Sequence, residues 1–143
     1  MSALTAAARS RLAVGSGPAP FVDQPLTRTD FVRYQGASGD MNPIHHDEAF
    51  AHAAGFPTVF APGMLPAGVL GSYVTDWLGA ANLRRFAVQF REQAWPGDVL
   101  TYSATVTALR EQDGDQVADL TLLVTRQTGG VHLLGEASFV LPD

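Results

Sequence analysis

The chain contains no cysteine and no lysine. Without thiols there is no disulfide, no thiolate nucleophile and no zinc site built on sulfur. Without lysine amines, Schiff-base and lysine general-base mechanisms are excluded. Charge is sparse, at 16% of residues, and all nine basic residues are arginine. A net charge of -5 with no basic stripe argues against nucleic acid as a partner. Also missing are an apolar run of about twenty residues and a basic start followed by an apolar stretch and a cleavage site. The expectation is a cytoplasmic protein with no membrane segment.

What is present is enough for one core. At 143 residues and 46% apolar content, a single domain is expected over residues 20–143, preceded by a loosely held arm, residues 1–19, of small residues. Phe21 to Leu26 can form a strand. Thr27 then reads as a helix N-cap, with Asp30 completing a capping box and Leu26 stapled against Phe31. That helix should end between Gly36 and Gly39. A second short helix is expected from Asp47 to Gly55, with acids at its start and glycine after its end. The third, Gly63 to Leu78, is the most apolar; Pro66 fits only in its first turn, and Gly68, Gly71 and Ser72 leave one side thin. From Phe86 onward the period changes to two, with strands around Phe86–Phe90, Leu100–Val106, Leu120–Val124 and Val131–Val140. Turn residues at Pro96-Gly97-Asp98, Asp113-Gly114-Asp115 and Gly129-Gly130 suggest a four-strand antiparallel meander. The fold class is therefore α+β, a buried helix wrapped by an antiparallel sheet.

Between Ser38 and Pro43, Ser-Gly-Asp-Met-Asn-Pro cannot continue a helix and must hold polar side chains on irregular backbone. Addition of water across an α,β-unsaturated thioester needs a base for the water, an acid for the α-carbon and donors for the enolate oxygen. Near neutral pH a carboxylate can accept a proton and an imidazole can exchange one, so Asp40 and His45 fit the first two roles. The backbone N–H of Gly63, at the amino end of the buried helix, is the candidate for the third. Asn42 is expected to orient the pair or hold the loop.

The run Tyr34-Gln35-Gly36-Ala37-Ser38-Gly39-Asp40-Met41-Asn42-Pro43-Ile44-His45, with Ala51 beyond it, resembles the signature of the MaoC-like (R)-specific enoyl-thioester hydratases and dehydratases. The likeness continues through Gly63-Met64-Leu65 and covers roughly residues 20 to 141. It implies a hot-dog fold, a working dimer, Asp40 and His45 as catalytic residues, no cofactor, and an acyl-CoA or acyl-carrier-protein thioester as substrate. The stretch Tyr73 to Gly79 is more similar to actinobacterial long-chain acyl dehydratase subunits and steroid side-chain hydratases, which implies a homodimer or a heterodimer with a second hot-dog chain. Two departures stand out: Pro62 replaces the usual His before Gly-Met-Leu, and Gly71, with Ser72 beside it, stands where some members have Ser. Pro62, Met64, Ser72 and Arg85 are accordingly the candidates for substrate contact.

Other readings compete. His45, His46, His52, Asp47 and Glu48 are close in sequence, but no His-Glu-x-x-His spacing exists and the two acids suit a helix start, so no metal is expected. His132 reads as structural. Arg84, Arg85 and Arg91 read as a solvated strand face, or as an anchor for coenzyme A phosphates or an acidic carrier surface. Tyr73, Trp77 and Leu78 read as core. A hot-dog thioesterase would want a carboxylate on the long helix, where the sole acid is Asp76, near the far end. A non-catalytic partner subunit would be free to lose Asp40 and His45.

Overall fold

The computed structural model describes Ala8 and residues 11–142. Ahead of the sheet, Gly15 N–H bonds the Val106 carbonyl and Val106 N–H bonds the Ser16 carbonyl, both at 2.8 Å. Gly17 runs so close to the Ala104 carbonyl that a Cβ would collide with it. The later part of the expected arm is therefore tied beside the sheet; residues 1–7, 9 and 10 lie outside the described residues.

Strand β1 is only Phe21–Val22, shorter than expected: Asp23 N–H still bonds the Leu100 carbonyl, but Gln24 N–H turns to the Asp23 carboxylate at 2.8 Å and Pro25 has no N–H to give a ladder. Helix α1 (Arg28–Ser38) starts as expected: the Thr27 hydroxyl accepts from Asp30 N–H while the Asp30 carboxylate takes the Thr27 N–H. Its end is set by Gly39 at φ 79°, a left-handed conformation that glycine adopts without a Cβ penalty. Helix α2 (Glu48–Ala53) is capped by the Asp47 carboxylate, which accepts from Phe50 N–H at 3.1 Å.

Helix α3 (Met64–Leu78) carries Pro66 in its first turn, where the missing N–H costs nothing. It buries Ala67, Leu70, Val74, Trp77 and Leu78 at three- and four-residue spacing. Gly71 lets the ring of Phe86 approach to 3.8 Å of where a Cβ would stand. Tyr73 and Trp77 are 5% and 9% exposed, and Tyr73 Oη donates to the Ala19 carbonyl at 2.9 Å; they are core residues.

The remaining strands are β2 (Leu83–Phe90), β3 (Leu100–Gln112), β4 (Asp115–Arg126) and β5 (Val131–Leu141). Their order in the single antiparallel sheet is β1-β3-β4-β5-β2, which corrects the four-strand meander. Only β3, β4 and β5 meander. Asp113-Gly114, both at positive φ, and Gly129 make short turns between them. The link from β2 to β3, residues 91–99, is too long for a tight hairpin and crosses to the far side, leaving β2 paired with β5. Asp98 holds this crossover: its carboxylate accepts from Trp95 N–H, Arg126 Nε and Gln127 Nε2 at 2.8, 2.7 and 2.8 Å. Burial works to raise the Asp98 carboxyl, but those hydrogen bonds outweigh it and hold the group below the usual carboxylate range. The α+β hot-dog arrangement follows, with α3 packed on the sheet and its amino end beside the crossover.

Candidate active site

The loop after α1 is organised by short polar side chains. Ser38 Oγ accepts from Asp40 N–H at 3.1 Å, Asp40 Oδ1 from Asn42 N–H at 3.3 Å, and Asn42 Oδ1 from Ile44 N–H at 3.1 Å. The Asn42 side chain thus caps the 3-10 turn Pro43–His45 and holds the loop, while its N–H braces the Asp40 carboxylate. Pro43 sits at the start of that turn and fixes its φ. The turn delivers His45 inward.

The ring of His45 is buried and directional. Nδ1 lies 2.7 Å from the Phe60 carbonyl oxygen. A carbonyl only accepts, so Nδ1 carries the proton and Nε2 is left as the lone-pair nitrogen of the neutral ring. Phe60 meets the imidazole edge to face at 5.3 Å and is itself packed against Phe56 and Trp95. Nε2 faces Asp40 Oδ2 across 3.8 Å. The His45 side chain is 10% exposed and that of Asp40 49%, so one member of the pair is held in the protein and the other looks out to solvent. A separation of 3.8 Å is too long for a direct hydrogen bond and suits an oxygen that bonds both groups.

Asp40 lines a cavity of about 320 Å³ together with Gly63, Met64, Phe90, Arg91 and His132. Gly63 precedes α3 without any side-chain cap, and no acceptor among the described residues takes its N–H. That N–H is thus free at the positive end of a fifteen-residue helix. Its lack of a side chain is also required sterically, since a Cβ would enter the ring of Phe90.

The structure brings Asp40, His45, Gly63 and Met64 together. It does not bring Ser72 or Arg85 to them. Ser72 lines a separate hollow with Phe21, Tyr73 and Asp76, and Arg85 pairs with Glu136 at 2.7 Å on the exposed face of β2 and β5. Pro62 is buried and its carbonyl accepts from Leu65 N–H at 3.0 Å, closing the first turn ahead of α3; it is absent from the cavity wall. Among the described residues, no three His, Asp or Glu side chains group as metal ligands; His52 Nε2 is 2.9 Å from the Pro57 carbonyl.

Several residues of the site are missed by sequence reasoning. Gln35, 1% exposed, donates from Nε2 to the carbonyls of Asp40 and Asn42 at 2.9 and 3.0 Å, and its Oε1 lies 2.9 Å from His46 Nδ1. A polar residue one turn before a glycine-rich loop is the sole signal it gave. Phe90 enters the wall because β2 ends there, and Arg91 beside it, one of the three arginines named as a possible phosphate anchor, lines the same cavity. His132, expected to be structural, is 2% exposed and lines the cavity. Its Nδ1 is 2.6 Å from the Glu92 carbonyl, its Nε2 is buried without a hydrogen-bond partner among the described residues, and burial pushes the imidazole down from its ordinary value.

A hot-dog sheet around a helix whose amino end meets a loop-borne Asp and His defines a class, and comparison with known proteins names it. Residues 10–128 match the model of the MaoC like domain. The (R)-specific enoyl-CoA hydratase of Aeromonas caviae is 33% identical over 112 residues, covering 76% of this chain and 81% of that protein. A solved structure described as the (R)-hydratase from A. caviae involved in PHA biosynthesis superposes with a TM-score of 0.80 at 30% identity, over 92% of this chain and 98% of that one. The 3-oxo-4,17-pregnadiene-20-carboxyl-CoA hydratase beta subunit of Mycobacterium tuberculosis is 30% identical over 101 residues, 70% of each chain. This chain belongs to the MaoC-like hydratase and dehydratase family and is a hydro-lyase.

Proposed function

We propose that the protein reversibly hydrates trans-2-enoyl thioesters to (3R)-3-hydroxyacyl thioesters, carried on coenzyme A or an acyl-carrier protein, in fatty-acid or related lipid metabolism. The observation that carries this reading is the 3.8 Å approach of His45 Nε2 to Asp40 Oδ2 at a cavity that also holds the free Gly63 N–H. The relatives' names supply the substrate class and the R hand.

In this reading one water lies between the pair, each of its hydrogens directed at one acceptor, the Asp40 carboxylate and His45 Nε2. As the water oxygen bonds to C3, one of its protons passes to the pair, the C2–C3 double bond becomes single, and electron density moves to the thioester oxygen. The Gly63 N–H donates to that developing enolate. The pair then delivers a proton to C2 as the carbonyl reforms, so one water is added overall. Dehydration runs the same steps backwards.

A second chain completing the cavity is a further reading, favoured by the exposed apolar side chains of Met64 and Phe90 on its wall and of Met41 beside Asp40. The relative described as a beta subunit supports a heteromeric partner as well as a homodimer. A thioesterase reading gains nothing, since Asp76 lines the hollow of Ser72 rather than that of Asp40.

The test is loss of enoyl-thioester absorbance when purified protein meets crotonyl-CoA and then a long-chain 2-enoyl-CoA. The expected result is turnover that Asp40→Asn lowers by on the order of 10²- to 10⁴-fold. Turnover surviving unchanged in Asp40→Asn would overturn the residue roles.

A further inference from the structure

We infer that Gln35 is a positioning residue for the Asp40–His45 pair and that His46 locks it in its working orientation. The inference rests on the reading that Asp40 and His45 carry the reaction. Gln35 lies in the last part of α1, and its amide is buried. A buried amide must be paired, and every partner this one has belongs to the catalytic loop: the carbonyls of Asp40 and Asn42 and the ring of His46. Its backbone carbonyl also accepts the Gly39 N–H that ends the helix, at 2.9 Å. Of the other hydrogen bonds within residues 38–44, one joins Asp40 N–H to Ser38, the last residue of α1, and the rest run between neighbours of the loop itself. Gln35 ties the loop to the buried side of α1.

The geometry explains what this does. Both N–H bonds of the Gln35 amide pull the carbonyls of Asp40 and Asn42 inward, which orients the Asp40–Met41 and Asn42–Pro43 peptide units. The Asp40 side chain is thereby turned outward to the cavity and toward His45 Nε2. The two carbonyls can only accept, so they select the NH2 end of the amide, and Oε1 must face His46. His46 Nδ1 must then carry a hydrogen. It does so both in the neutral tautomer selected here and in the imidazolium, so the bracket persists whichever form His46 takes. His46 is exposed, and thus one end of this buried bracket can be altered from the surface.

Displacing a catalytic carboxylate by about 1 Å can cost on the order of a hundredfold in rate, so the effect belongs in kcat. Gln35→Glu is nearly isosteric but sets an acceptor oxygen against two carbonyls. Near neutral pH it is expected to lower kcat on crotonyl-CoA by roughly 10- to 100-fold with KM within about twofold. Protonation of the new carboxyl restores one donor, so the deficit relative to the unaltered protein should narrow as pH falls. His46→Phe removes the lock from the surface and should lower kcat about 3- to 10-fold, whereas His46→Asn, whose side-chain nitrogen can stand where Nδ1 stood, should recover it to within about twofold. If Gln35→Glu does not fold, the two His46 variants decide.

A folded Gln35→Glu protein with kcat within twofold at all pH values, or His46→Phe and His46→Asn indistinguishable in kcat, would overturn the inference. Asp40→Asn is measured alongside. If it is inactive while the Gln35 and His46 variants behave as the unaltered protein, the positioning role alone fails. If it retains full activity, the reading beneath it fails.

Discussion

His45 Nε2 and Asp40 Oδ2 are held 3.8 Å apart, with the far nitrogen of the imidazole committed to the Phe60 carbonyl at 2.7 Å. The ring has one free nitrogen, and it faces the carboxylate. In the proposed mechanism the two share one water and act as a unit. Asp40→Asn and His45→Ala are each expected to lower kcat/KM by on the order of 10²- to 10⁴-fold, and the double variant should be little worse than the poorer single one. Enoyl-thioester absorbance measures this. Multiplicative losses in the double variant would show that the two act independently. Thermal stability of Asp40→Asn should be nearly unchanged, because its side chain is half exposed.

Gly63→Ala tests the opening of α3. The new methyl would enter the Phe90 ring, and Phe90, 53% exposed, is free to swing away. Moving a half-exposed ring costs less than overpacking a closed core, so stability should fall by about 1 kcal/mol, and activity should fall because the displaced ring belongs to the cavity wall. In a Phe90→Ala background the same change should cost less than about 0.5 kcal/mol, seen in denaturant melts. Equal costs in both backgrounds would place the clash elsewhere.

The crossover clamp makes a stability prediction. Asp98, 4% exposed, is held below the usual carboxylate range by Arg126, so its contribution is fully present above the unfolded-state value and is lost as pH falls below about 4. Asp98→Asn should destabilise the fold by on the order of 3 kcal/mol at pH 7, leaving the Arg126 guanidinium without its carboxylate. The penalty should shrink in acid. A Tm difference that is constant from pH 7 to pH 3 would refute the charge-based account.

His132 titrates in the opposite chemical sense with the same outward result. Burial favours its neutral form in the folded chain, whereas the unfolded chain takes up a proton near pH 6.5. Acidification therefore draws the equilibrium toward the unfolded state from about that pH downward. His132→Leu loses the hydrogen bond to the Glu92 carbonyl and should be less stable at pH 7.5. Its Tm should nevertheless fall less between pH 7.5 and 5.5 than that of the unaltered protein; an identical fall would remove His132 as the cause.

Local signals in the sequence determined much of this molecule. The Thr27–Asp30 capping box, the Gly39 stop, Pro66 in the first turn of α3 and the period-two strands are all decided by residues within a few positions of each other. So was the Asp40 to His45 loop, whose residues cap and turn one another.

Only the tertiary structure decided the rest. Strand pairing depends on which edges meet across the sheet, and a nine-residue link can end at either edge; hence β2 lies beside β5. Ser72 and Arg85 carry suitable chemistry, but α3 and β2 point them away from Asp40. Conversely, Phe60, Phe90 and His132 reached the site through packing between residues distant in sequence, which no local pattern encodes, and what the Gln35 amide meets was decided by how the loop folds back on α1. Hydrophobic periodicity specifies which face is buried, while the identity of the groups that meet there is set by how the faces dock.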